Sequence, residues 1–171
     1  VWTATAARLL EARVRPALAE QAYVAGLMHD VGKIVIAAHH QKQFADIRAK
    51  IAREGKSFAE AEGEVLGCSH AEIGAVLAAR WRLPESLAEA VAYHHAPQQA
   101  EAEVALAAAV QVADALVLSL GVGAGAATKA PEISEAMLLL ARLSETMLFS
   151  VREEVPHAAE ELERLVEGDD A

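Results

Sequence analysis

Apolar positions recur at helical spacing over most of the chain. From Trp2 to Val14, the residues Ala7, Leu10 and Val14 share one helical face, and Pro16 interrupts the pattern. Leu18, Ala22, Ala25 and Met28 mark a second helix from about Ala17 to His29, with Gly32 allowing a bend just beyond it. Ile34 to Ala38 is short enough to be a strand, but no partner strand is evident elsewhere. It reads as a buried helical turn. A polar-faced helix follows from His40 to Arg53 and ends at Gly55. Ser57 with Glu60, and Ser69 with Glu72, have the spacing of capping boxes that open two more helices, ending near Gly67 and Trp81. Pro84 opens a helix that reaches His94-His95, and Pro97 stops it. Glu101 to Leu120 is a long, Ala-rich helix, apolar enough to be central. Gly121, Gly123, Gly125 and Pro131 mark a loop. Ile133 to Val151 and Pro156 to Val166 read as two final amphipathic helices. The acidic tail Glu167-Gly168-Asp169-Asp170 reads as frayed.

The pattern predicts an all-α, single-domain bundle of about seven to nine helices over residues 1–171, with no internal repeat. Composition agrees. Hydrophobic residues make up 54% of the 171 positions and aromatics only 4%, so Ala and Leu dominate a small-residue core. The net charge of −10 argues against a nucleic-acid or anionic-membrane surface, since both need a positive field. A single cysteine, Cys68, excludes an intrachain disulfide and suits a reducing cytoplasm. No apolar stretch reaches the roughly 18–20 residues of a membrane span. The chain starts at Val1 inside a helical pattern, so it is expected to be part of a longer polypeptide.

Six of the seven histidines fall between positions 29 and 95. His29, His70, His94 and His95 have the setting expected of ligands, together with the carboxylates Asp30 and Asp114. A His-Asp pair at a helix end can point both side chains into one cleft, and a carboxylate can bridge two cations while imidazoles cap each. A mixed N/O set suits Fe, Mn or Zn. Asp114 lies in the apolar run Val110 to Leu116, where a carboxylate needs a cation or a histidine as partner. A paired-metal site could activate water and clamp a phosphate, with Lys33 as a phosphate contact. Structural readings stand beside these. His29-Asp30 could be a hydrogen-bonded helix terminus, His94-His95 a helix C-cap, His70 first-turn packing, and Asp114 a His-paired structural acid. His39, His40 and His157 read as surface residues, Cys68 as a small core residue, and Trp2 and Trp81 as core anchors.

The segment Ala25-Gly-Leu-Met-His-Asp-Val-Gly-Lys33 resembles the HD motif of the HD superfamily of metal-dependent phosphohydrolases. His70, the pair in Tyr93-His94-His95 and Asp114 resemble the later ligands of its HD-GYP branch. The closer resemblance is to the HDOD family, the HD-related output domains of bacterial signalling proteins. It is carried by Ala61 to Gly74, by Trp81-Arg-Leu-Pro84 and by Tyr93-His-His-Ala-Pro97, and spans roughly Trp2 to Leu120. The chain resembles the C-terminal, HD-like part of an HDOD unit, without the family's N-terminal helical half. The resemblance implies a mono- or dinuclear divalent metal. His29, Asp30 and Asp114 would hold one ion, and Asp30, His70, His94 and His95 another. Two departures stand out. The superfamily's first ligand histidine falls on Ala4, followed by Thr5, which leaves one metal position a ligand short or empty. Ala96-Pro97-Gln98-Gln99 replaces the GYP signature, which argues against cyclic di-GMP hydrolysis. The expected function is a regulatory output domain of bacterial signal transduction. Its expected partners are other signalling proteins or attached sensor domains, with self-association as a further expectation. It would carry a metal or nucleotide-like ligand in the cleft. The alternative is a metal-dependent phosphohydrolase or phosphodiesterase, and the reading leans away from an enzyme.

Overall fold

Pro16 splits the first helical stretch in two, and the chain turns back on itself there. A computed structural model describes residues 1–123 and 130–168. α1 (Trp2–Val14) is followed by the 3₁₀ turn Pro16–Leu18 and α2 (Ala19–Met28). α1 and α2 pack closely because Gly26 carries no Cβ: one placed there would lie 2.8 Å from the Ala4 Cα. Asp30, at φ −100° and ψ 10°, separates α2 from α3 (Val31–His39). α4 (Gln41–Glu54) ends at left-handed Gly55. α5 (Phe58–Leu66) and α6 (His70–Arg80) both open with complete capping boxes, at Ser57/Glu60 and Ser69/Glu72, as their spacing predicts. α7 (Glu85–Tyr93) leads through the 3₁₀ turn Pro97–Gln99 to α8 (Val104–Ser119). The chain ends in α9 (Glu135–Leu140) and α10 (Glu145–Glu167).

Among the described residues every regular element is helical, as expected, and no helix is long and apolar enough to cross a membrane. α8 is the central helix. Its residues from Ala105 to Val110, and again Val112 and Ala113, are almost wholly buried. The main core joins α1, α2, α7, α8, α9 and α10 through small residues such as Ala6, Ala22, Ala90 and Ala108, with Leu10, Leu106 and Leu116 between them. A second, smaller core gathers Ile36, Ile47, Ile51 and Ala61 under α3, α4 and α5, with Phe44, Phe58 and Ile73 against it.

Four expectations are corrected. α10 runs through Pro156 instead of starting there. An interior proline costs a helix about 3 kcal/mol, but Val151, Val155 and Ala159 form a fully buried i, i+4, i+8 stripe that holds both turns to the core. The break falls earlier, at Arg142, whose φ of 59° ends α9 before Ser144 caps α10. His157 is exposed as expected, but sits mid-helix and not near a helix start. The Ile34 to Ala38 segment is helical, yet Ile34 itself is 69% exposed and only Ile36 is core. Trp81 is 53% exposed at the end of α6 and anchors no core, while Trp2 packs against the main core and donates its Nε1–H to Glu163 at 2.9 Å. His39 and His40 are exposed as expected, and Cys68 is half-buried. Gly125 and the tail at 169–171 lie outside the described residues.

Candidate metal centre

The break between α2 and α3 puts His29 and Asp30 on the same side of a helix junction, facing α6, α7 and α8. His29 is 6% exposed and its Nδ1 lies 2.7 Å from the Gly26 carbonyl, so Nδ1–H donates there and Nε2 points into the cleft. That Nε2 is 3.4 Å from an Asp30 oxygen and 3.5 Å from Asp114, with no hydrogen bond of normal geometry to either. α3 meets α6 at Gly32, where a Cβ would lie 2.0 Å from the His70 carbonyl oxygen. This close approach brings Asp30 Oδ1 to 3.2 Å from His70 Nε2. From the end of α7, His94 donates its Nδ1–H to the Val91 carbonyl at 2.8 Å. His94 Nε2 lies 3.3 Å, and His95 Nε2 3.0 Å, from His70 Nε2. The structure therefore brings together all six residues singled out in the sequence: His29, Asp30, His70, His94, His95 and Asp114.

They form two groups joined by Asp30. One oxygen of Asp30 faces His70; the other faces His29 and accepts from the Lys33 ammonium at 2.7 Å. Lys33, expected as a phosphate contact, is paired with the candidate ligand Asp30.

The electrostatics show a site short of positive charge. Burial pushes His29 down, but the nearby Asp114 and Asp30 carboxylates outweigh it and raise His29 to about 10. Burial acts against Asp30 ionising, yet His29, His70 and Lys33 hold its carboxyl far below the usual range. His70 is pushed down by burial and raised, on balance, by Asp30 and Glu62. His94 is held neutral, well below its ordinary value, first by burial and then by the charges of the other histidines. His95 is exposed at the edge of the cluster, yet loss of water around its ring and the neighbouring His70 lower it to about 4. The carboxylates thus favour the charged forms of His29 and His70, while burial favours the neutral forms of His94 and His95.

The donors fit a divalent metal. The ligand nitrogens of His70, His94 and His95 all lie within 4.8 Å of one another. Four-coordinate zinc with bonds near ~2.0–2.1 Å spaces its ligand atoms about 3.3 Å apart, close to the 3.0 and 3.3 Å measured here. His29 Nε2 and Asp30 Oδ1 are buried without hydrogen-bond partners, as expected of atoms whose partner is an ion. Ala4 is fully buried against Gly26, on the turn that carries His29.

A cavity of about 530 Å³ opens in front of the centre. It is lined by the polar Asp30, His94, His95 and Asp114, by Lys33 and Gln111, and by the apolar Val117, Leu118 and Met137. Thr3, Lys56 and Phe58 also reach it, none of which the sequence pointed to. Reasoning from sequence also missed Glu62, which accepts from His70 Nδ1 at 2.6 Å. An acid eight residues before a candidate ligand, between Ala61 and Gly63, was the available signal.

The HDOD domain family matches residues 1–97, which include five of the six residues of the centre and stop short of Asp114. The chain belongs to the HDOD family. Over 90% of its length it superposes on an HDOD domain protein of unknown function from Geobacter sulfurreducens, at 27% identity and a TM-score of 0.75. The crystal structure of a "Putative signal transduction protein" from Marinobacter aquaeolei VT8 matches 96% of the chain at 21% identity and a TM-score of 0.82. That of a "Putative phosphohydrolase" from Shewanella amazonensis SB2B matches 91% at 24% identity and a TM-score of 0.67. This HDOD chain spans 58%, 36% and 58% of those three proteins, respectively. An uncharacterized protein of Treponema pallidum (strain Nichols) is 30% identical over 79 residues, 46% of this chain and 15% of that protein.

Proposed function

We propose that this HDOD domain is a cytoplasmic output module of bacterial signal transduction. It works through other signalling proteins or attached sensor domains, and it responds to a metal-dependent, nucleotide-like ligand in its cleft. The observation that carries this reading is the cavity itself. Candidate metal ligands, the Lys33 ammonium and the apolar Val117, Leu118 and Met137 line one cavity, so one ligand can offer it both an anionic group and an apolar or planar part. When bound, Fe, Mn or Zn would supply positive charge for such an anion. His29, Asp30 and Asp114 would hold one ion, and Asp30, His70, His94 and His95 the other. Ala4 in place of a histidine supports binding over turnover, because it leaves the His29 group one nitrogen short.

The decisive experiment is metal analysis of protein purified without chelator, followed by titration with Mn(II) and then with nucleotides. Metal at a stoichiometry of one or two, and nucleotide binding that depends on it, supports the reading. If no Fe, Mn or Zn co-purifies and none binds on addition, the reading is overturned.

The convergence of three histidines and a shared carboxylate favours one second reading, a metal-dependent phosphohydrolase. Hydrolysis of bis-(p-nitrophenyl) phosphate or cyclic dinucleotides with Mn(II), abolished by Asp30→Ala, would establish it. Hydrolysis that survives Asp30→Ala belongs to a contaminant.

A further inference from the structure

Two glutamates are almost wholly buried among the described residues, Glu11 and Glu62. Glu11 is neutralised by the Arg15 guanidinium, which also reaches Glu103 at 2.6 Å. Glu62, at 0% exposure on α5, has no lysine or arginine beside it; its ion-pair partner is His70. One oxygen, Oε2, accepts both the His70 backbone N–H at 2.8 Å and the His70 Nδ1–H at 2.6 Å. Oε1 is buried with no partner. A buried carboxylate without a compensating charge is costly. Leaving such a group behind a histidine makes sense where that histidine's other nitrogen carries positive charge.

We infer that Glu62 is a positioning residue for the metal centre. It locks the His70 ring with Nδ1 protonated and Nε2 facing Asp30, His94 and His95, and its charge makes Nε2 a stronger ligand. The inference rests on the metal reading of the cluster. The three buried rings of the site are held differently. His29 and His94 give their Nδ1–H to the neutral carbonyls of Gly26 and Val91, whereas His70 gives its Nδ1–H to a full negative charge. A carboxylate behind a metal-bound imidazole fixes its orientation and raises its basicity. The backbone bond to His70 N–H serves a second purpose, tying the carboxylate to the first turn of α6 so that it cannot swing away.

The test compares Mn(II) and Zn(II) affinity of the wild-type chain and Glu62→Gln by competition with a chromophoric chelator. Glu62→Gln is expected to bind about 10–100-fold more weakly, and to lose that difference when His70 is already Ala. In the zinc-loaded wild type, the His70 Nδ1 proton is expected far downfield in the NMR spectrum and slow to exchange; in Glu62→Gln it moves upfield. Affinity unchanged by Glu62→Gln overturns the inference and leaves the metal reading intact. So does a loss that persists in full on the His70→Ala background, because Glu62 would then act on the fold and not through His70. A wild type that binds neither ion overturns both. If Glu62→Gln does not fold, Glu62→Asp carries the same test: the charge is kept one methylene further away, and a smaller loss with a partly retained downfield proton is expected.

Discussion

The two halves of the candidate metal centre are built on different plans. The His70, His94 and His95 half is rich in nitrogen, and its buried rings His70 and His94 are locked from behind, His70 by Glu62 and His94 by the Val91 carbonyl. The His29 half has one nitrogen and two carboxylates. Its carboxylates are balanced by a proton on His29 and by Lys33. One half therefore offers a cluster of three imidazole nitrogens, with burial favouring the neutral form of His94 and His95. The other is organised by opposite charges that hold one another, and a metal must displace them. Asp30 belongs to both.

That contrast can be broken most completely at Gly32. A methyl group there meets the His70 carbonyl at 2.0 Å, so Gly32→Ala must push α3 from α6 and separate the halves. A loss of about 3 kcal/mol or more is expected, seen as a melting temperature lower by roughly 6–12 °C, together with loss of metal from both halves. Thermal unfolding followed by circular dichroism checks it, and an unchanged melting temperature would show that the helices do not meet as described.

Asp30→Ala should leave the fold in place and remove the shared ligand. Metal affinity is expected to fall by more than about 100-fold at both positions, beyond what loss of a supporting residue causes. Retention of one tightly held ion, measured by elemental analysis after dialysis, would mean that the halves are independent.

Ala4→His sharpens the contrast from the other side. Ala4 has no free space around it, so the imidazole should cost the metal-free protein about 1–3 kcal/mol. With Mn(II) present the loss should be recovered, and the His29 half should bind about tenfold more tightly. A variant destabilised equally with and without Mn(II) would show that this position does not address the site.

The smallest effect is expected at Lys33. Its ammonium competes with a cation for the Asp30 oxygen at 2.7 Å. Lys33→Met should tighten Mn(II) binding roughly 3–10-fold at low salt, with the gain shrinking as salt screens the charge. The same change should weaken a phosphate-bearing ligand. Calorimetric titrations with Mn(II) alone, and with Mn(II) plus nucleotide, separate the two signs.

Much of this was legible in one dimension. The capping boxes at Ser57 and Ser69, the buried length of α8 and the six ligand candidates all follow from local spacing and residue chemistry. The errors share a cause. Pro156 signals a helix start locally, but Val151, Val155 and Ala159 are held by contacts with helices far away in sequence. Trp81 and Ile34 look like core residues by type, yet only the packing of α3 and α6 decides which of their faces stays open.

The sequence by itself determined the helical class, because apolar spacing and capping are local. It also marked the candidate donors, because imidazole and carboxylate keep their donor chemistry wherever they stand. Only the tertiary structure decided that the candidate donors make two unequal groups around Asp30 and that Glu62 backs His70. Those are matters of 2.6 to 3.5 Å between residues on different helices. Such distances depend on helix packing, at Gly26 and Gly32 above all, which no spacing along the chain contains.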